Sequence, residues 1–140
     1  CSPLRRTQET AKIILQAQQE PPDLKVHPFL TEIDYGPDEN QPEEAVRARL
    51  GAALDRWEQD AIPPKDWLVE PNAIATGWRA LFEAAPSGQT SLVVTSNGVA
   101  RFALFAETAT ALPKLKTGAY GVIEVSPEGK AKLMSWNIRP

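Results

Sequence analysis

The sequence holds one cysteine, one histidine and one methionine in 140 residues. A single cysteine excludes an internal disulfide and points to the cytoplasm. A single histidine, His27, gives no support to a metal site. A positive charge excess is also missing. Fifteen Lys and Arg stand against 18 Asp and Glu, for a net charge of -3 and a pI near 5.2. That balance argues against non-specific binding to nucleic acid or to acidic membrane. There is no run of 18 apolar residues, so no membrane span is expected. No repeat, low-complexity segment, initiator Met or signal-peptide pattern is found either. The opening residues read as the middle of a protein, and we expect the chain to be part of a longer one.

What is present fits a globular protein. Hydrophobic residues make up 42% and charged residues 24%, enough for the core of one domain over residues 1–140. Ser2-Pro3 reads as an N-cap followed by proline at the first helical position. Leu4, Ala11, Ile14 and Leu15 then share one helical face, and Pro21-Pro22 closes that helix. Leu24-Lys25-Val26 is a short strand candidate. Pro42 starts a helix with Glu43 and Glu44 in its first turn, favoured there by the helix dipole. Val46, Leu50, Leu54 and Trp57 form one stripe along it. Asn72 can cap a further helix whose inner face is Ile74, Trp78, Leu81 and Phe82. Residues 91–95 are a short apolar run with β-branched residues, the pattern of a strand buried on both faces. Residues 99–107 read as the next helix. Residues 119–125 and 130–136 flank Ser126-Pro127-Glu128-Gly129, a type I turn, and so predict a β-hairpin.

Alternation of strands and helices implies an α/β domain. Ligands in such sheets bind at the carboxyl ends of the strands. Ser2 to Arg6, Glu32, and Ser96 to Gly98 all hold that kind of position, and we expect Arg6, Glu32 and Ser96 to converge on one concave site. A helix N-terminus with a nearby arginine suits phosphate: amides and dipole favour the anion, and guanidinium grips two oxygens. The plain alternative for Arg6 is a solvent-exposed arginine paired with a surface acid. For Glu32 it is a solvated loop glutamate, with Asp34 as a weaker candidate for the same role. For Ser96 and Asn97 it is a turn that caps the following helix. Cys1, four residues, then Arg6-Thr7 is one residue short of the loop of a cysteine-dependent phosphatase. Pro3 also removes an amide that such a loop needs, so Cys1 reads as a buried strand end. Arg5 reads as a surface residue, Arg101 as structural, and Trp57, Trp67, Trp78 and Trp136 as packing residues.

Three ordered blocks carry a resemblance to a family. Ser2-Pro3-Leu4-Arg5-Arg6-Thr7-Gln8-Glu9-Thr10-Ala11 resembles the Ser-Pro-Leu-x-Arg-x-x-x-Thr-Ala block of the histidine phosphatase (phosphoglycerate mutase-like) superfamily. Leu30-Thr31-Glu32-Ile33-Asp34-Tyr35-Gly36 resembles its Leu-x-Glu-x-x-x-Gly block. Residues 92–101 are similar to its strand ending in His-Gly, with Ser96 where the second active-site histidine belongs and Asn97 where glycine is usual. The closing Ser135-Trp136-Asn137 is similar to its last strands. Residues 36–88 lack the family's Gly-Glu-Ser-like element.

The resemblance implies a three-layer α/β/α domain whose first strand and helix, with the nucleophilic histidine of an Arg-His-Gly turn, are missing from this chain. In the family that strand lies beside the one matched by residues 92–95, so Val93 and Val94 are expected on an exposed apolar edge. The implied reaction is hydrolysis of a phosphate ester through a phosphohistidine, in the parent protein rather than in this chain alone. Arg6 would stabilise the transferring phosphoryl group, Glu32 would protonate the leaving oxygen, and Ser96 and Asn97 would contact the phosphate. A small phosphorylated substrate or inorganic phosphate is the implied partner, with no cofactor and no metal. Hydrolysis is favoured over mutase action because nothing visible would retain a phosphorylated intermediate. The runner-up is a non-catalytic phosphoryl-ligand-binding or regulatory domain, which Ser96 in place of histidine favours.

Overall fold

The computed structural model describes residues 1–139. Helix α1 spans Arg5–Gln16, and two short 3-10 turns follow at Pro28–Leu30 and Gly36–Asp38. Helices α2 (Glu43–Leu50), α3 (Ala52–Asp60) and α4 (Pro71–Glu83) come next. The one-turn helices α5 (Asn97–Ala100) and α6 (Phe105–Thr108) precede strands β1 (Tyr120–Val125) and β2 (Ala131–Ile138).

The hairpin forms as the turn residues predict. Gly129 N–H bonds Ser126 O at 2.9 Å, and Gly129 takes φ +79°, where glycine avoids a Cβ clash. Ile123 pairs with Leu133 and Glu124 with Lys132. Ile123, Val125, Ala131 and Leu133 turn one face toward the core, as period-2 alternation requires. The register slips near Val122. There Asn137, at φ +58°, turns its carboxamide to Lys116 N–H and Lys114 O, at 2.8 and 2.9 Å.

Residues 24–26 and 91–95 are not regular strands. They are extended segments joined to Cys1 and Ser2 by one or two backbone bonds each. Cys1 N donates to Lys25 O at 2.7 Å, and His27 N donates to Cys1 O at 2.9 Å. That pair of bonds is the parallel pattern. On the other side Ser2 N donates to Val94 O at 3.1 Å. Residues 25–27, 1–2 and 94 therefore lie side by side in that order, with too few rungs for a ladder. Val93 and Val94 are half-buried rather than exposed; the exposed apolar residue of this edge is Leu92, at 63%.

Two expected helices are divided. The stripe from Val46 to Trp57 breaks at Gly51, whose φ of +47° and ψ of -120° end α2 and start α3. Residues 99–107 split because Arg101 O accepts from Leu112 N at 2.8 Å instead of continuing the helix. Phe102, Ala103 and Phe105 then bond three residues back, tightening the chain into 3-10-type turns. The Ser2 and Asn72 caps are also corrected. Leu4 and Glu70 hold the two N-cap positions, and neither side chain caps.

The core gathers Leu30, Ile33, Leu54, Trp57, Trp67, Trp78, Phe82, Val99, Phe102 and Leu104. The tryptophans pack as expected, and the N–H groups of Trp67 and Trp78 find acceptors, as burial demands. Trp78 Nε1 donates to Val99 O at 3.0 Å and Trp67 Nε1 to Asp38 Oδ2 at 2.8 Å. Arg101 is 4% exposed. It donates to the carbonyls of Leu112, Trp57 and Glu58 and lies over the Trp57 ring. Burial lowers its pKa, yet its structural role is the one its place on the sequence suggested.

Candidate functional site

The Ser-Pro-Leu turn is fixed from within. Ser2 is fully buried. Its Oγ accepts from Leu4 N at 3.3 Å and meets Thr7 Oγ1 at 2.5 Å. Thr7 Oγ1 also donates to Leu4 O at 2.8 Å. Ser2 therefore shapes the turn before α1 instead of capping the helix. Arg6, the second residue of α1, is thereby aimed off the carboxyl end of the segment carrying Cys1 and Ser2. Its side chain is 62% exposed.

Glu32 follows residues 25–27 and the 3-10 turn. Thr95 Oγ1 donates to Leu30 O at 2.8 Å and ties the 91–95 segment to that turn. Ser96 is thus delivered beside Glu32. Arg6 Nη2 donates to Ser96 Oγ at 2.8 Å and stands 3.9 Å from Glu32 Oε2. The structure brings Arg6, Glu32 and Ser96 together across 90 residues of sequence. The cause is geometric: each follows the carboxyl end of one of three adjacent extended segments.

Glu32 is partly sequestered, with 21% of its side chain exposed. Its Oε1 accepts from Ile33 N at 3.1 Å. Burial pushes its carboxyl above the ordinary value near 4.5. The Ile33 N–H, the Arg6 charge and the Ser96 hydroxyl pull the other way, and Glu39 adds to the rise. The dominant cause is therefore burial rather than a neighbouring anion. A raised pKa suits a carboxyl to the role of proton donor.

Leu4, Arg6, Thr31, Glu32, Ile33, Asp34 and Glu39 line a depression of about 270 Å3 at this point. Asp34 is on its wall, but its Oδ1 accepts from Gly36 N at 2.7 Å and shapes the turn. Ser96 occupies the N-cap position of α5 without a side-chain cap bond; its hydroxyl serves Arg6 instead. Asn97 sends its Oδ1 to Leu115 N at 2.6 Å, which anchors the chain before β1. His27 lies apart from the depression and packs edge-on against Phe29 at 6.0 Å. Among the described residues no three His, Cys, Asp or Glu side chains are grouped to hold a metal ion. No helix there is long and apolar enough to cross a membrane.

Sequence reasoning missed Glu39 and the steric role of Gly98. Nothing marks Glu39, one of two adjacent acids in a polar turn. Nothing marks Gly98 either, since the sequence sets the helix at 99–107 and only the structure places Gly98 within α5. An alanine Cβ there would stand 2.4 Å from Glu32 Oε1.

A sequence model of the histidine phosphatase superfamily (branch 1) matches residues 1–138. No curated protein matches, and no solved structure does.

Proposed function

The chain belongs to the histidine phosphatase superfamily, and from that premise we propose that it is the phosphate-binding part of a phosphate-ester hydrolase working through a phosphohistidine. The observation that supports this most is the convergence of Arg6, Ser96 and Glu32: Arg6 and Glu32 line one depression, and Arg6 holds Ser96 beside it. The remaining frame of the proposal is a single domain of three α/β/α layers. It is cytoplasmic and acts on a small phosphorylated substrate, without metal, cofactor, nucleic acid or membrane.

In this reading Arg6 grips the phosphoryl oxygens through two N–H donors, because guanidinium matches the anion's geometry. Ser96 Oγ, released from Arg6, donates one hydrogen bond to the same group and supplies no charge. Asn97 borders the phosphate through its backbone, at the start of α5. Glu32, whose pKa is raised by burial, delivers the proton to the leaving oxygen as the ester bond breaks. The attacking imidazole comes from outside residues 1–140, since His27 lies apart from the depression.

A second reading, a phosphoryl-ligand binder without catalysis, is favoured by one observation. A neutral hydroxyl stands at position 96, where the family places a histidine. A p-nitrophenyl phosphate assay separates the readings. Residues 1–140 alone are expected to bind phosphate and show no turnover, and His27→Ala is expected to change nothing. A protein that also supplies the upstream Arg-His-Gly is expected to turn over; binding without turnover there selects the second reading. Activity of residues 1–140 that survives His27→Ala would overturn the phosphohistidine scheme.

A further inference from the structure

We propose that Gly98 is a positioning residue for Glu32: the missing side chain at 98 leaves the space in which the Glu32 carboxyl lies against the start of α5 and faces Arg6. This inference rests on the reading of Glu32 as the proton donor.

Two observations exclude the ordinary reasons for a glycine. Gly98 is not among the glycines with positive φ, so no forbidden backbone conformation requires it. It also lies in the first turn of α5, where helix formation gives glycine no advantage over alanine. Local preference does not call for glycine, and the surroundings supply the cause. A Cβ at 98 would meet Glu32 Oε1 at 2.4 Å and the Ile33 side chain at 3.0 and 3.1 Å. Real Cβ contacts with oxygen do not come so close, so one partner has to move.

Glu32 has little freedom to yield while keeping its place. Oε1 is held from one side by Ile33 N–H at 3.1 Å and bounded on the other by Gly98. Oε2 faces Arg6. The packed backbone of α5 thus acts as a stop that fixes where the carboxyl points. The same short helix carries Ser96 at its start, so one contact sets the spacing between the acid and the hydroxyl. With alanine at 98, either Glu32 swings outward into water or α5 shifts and takes Ser96 from Arg6.

The test couples the two positions. The Glu32 titration is followed by carboxyl NMR in the wild-type chain and in Gly98→Ala, with melting temperatures for both. The expected result is a Glu32 midpoint that falls toward the ordinary glutamate value, because the carboxyl regains water. An unchanged midpoint in a folded Gly98→Ala protein would overturn the proposal. The cycle with Glu32→Ala keeps the test open if Gly98→Ala folds poorly. Gly98→Ala is expected to lower the melting temperature in the wild-type background and to lose much less, or gain, in the Glu32→Ala background. Equal losses in both backgrounds would mean that Gly98 does not serve Glu32. Phosphate titration of the wild-type chain is read separately. Its failure would count against the phosphate site and leave the coupling between 98 and 32 measurable.

Discussion

At the scale of single residues, the consequential group is Glu32. Its folded-state pKa is raised, chiefly by burial. The native state therefore holds its proton at pH values where the unfolded chain has released it. Stability from this group is complete below the ordinary value near 4.5 and is lost as pH rises through the raised value. Glu32→Gln keeps an oxygen for Ile33 N–H and removes the buried charge. We expect it to melt higher than the wild type at pH 7, with the gap closing as pH falls toward 4. A lower melting temperature for Glu32→Gln at pH 7 would show that the Arg6 charge outweighs burial. This residue was legible in the sequence, since its Leu-x-Glu block marks it. The source of its pKa shift was not, because burial depends on how the 91–95 segment and α5 close over it.

At the scale of elements, steric fit between short segments matters more than propensity. Gly77 in α4 shows this in the same way as Gly98. A Cβ at 77 would stand 2.4 Å from Phe29 Cγ and 2.5 Å from its Cδ2. The Phe29 ring in turn packs edge-on against Trp78 at 5.8 Å. Gly77→Ala improves helix propensity by about 1 kcal/mol but crowds a packed ring, at a typical cost of about 1–3 kcal/mol. The clash is expected to win. Urea unfolding should then show a lower midpoint with an unchanged slope; a stabilised Gly77→Ala would mean that Phe29 has room to move. The amphipathic stripe gave the inner face of α4: Trp78 and Phe82 are buried, and Ile74 and Leu81 pack half-buried against the core. Breaks within the stripes were not visible, because Gly51 and the carbonyl of Arg101 end helices through backbone geometry and a bond to distant Leu112.

At the scale of the whole molecule, the chain is an α/β protein in which the regular sheet is the closing hairpin. The site instead sits at the ends of three extended segments held together by one or two backbone bonds each. The order of these segments follows from long-range contacts, which composition and periodicity do not encode. The convergence of Arg6, Glu32 and Ser96 was legible because three sequence blocks each ended a strand-like run. The commitment of Asn97 to Leu115 was not, since it joins segments 18 residues apart. Phosphate or vanadate titration, comparing wild type, Arg6→Ala and Ser96→Ala in the protein with its upstream segment, tests the central claim most directly. Hydrogen bonds to a charged group contribute about 1.5–3 kcal/mol each, and in this scheme Arg6 makes two to the phosphate and adds a positive charge, whereas Ser96 makes one. Arg6→Ala should therefore weaken binding by about tenfold or more, and Ser96→Ala by less. Unchanged affinity in Arg6→Ala would contradict the phosphate site.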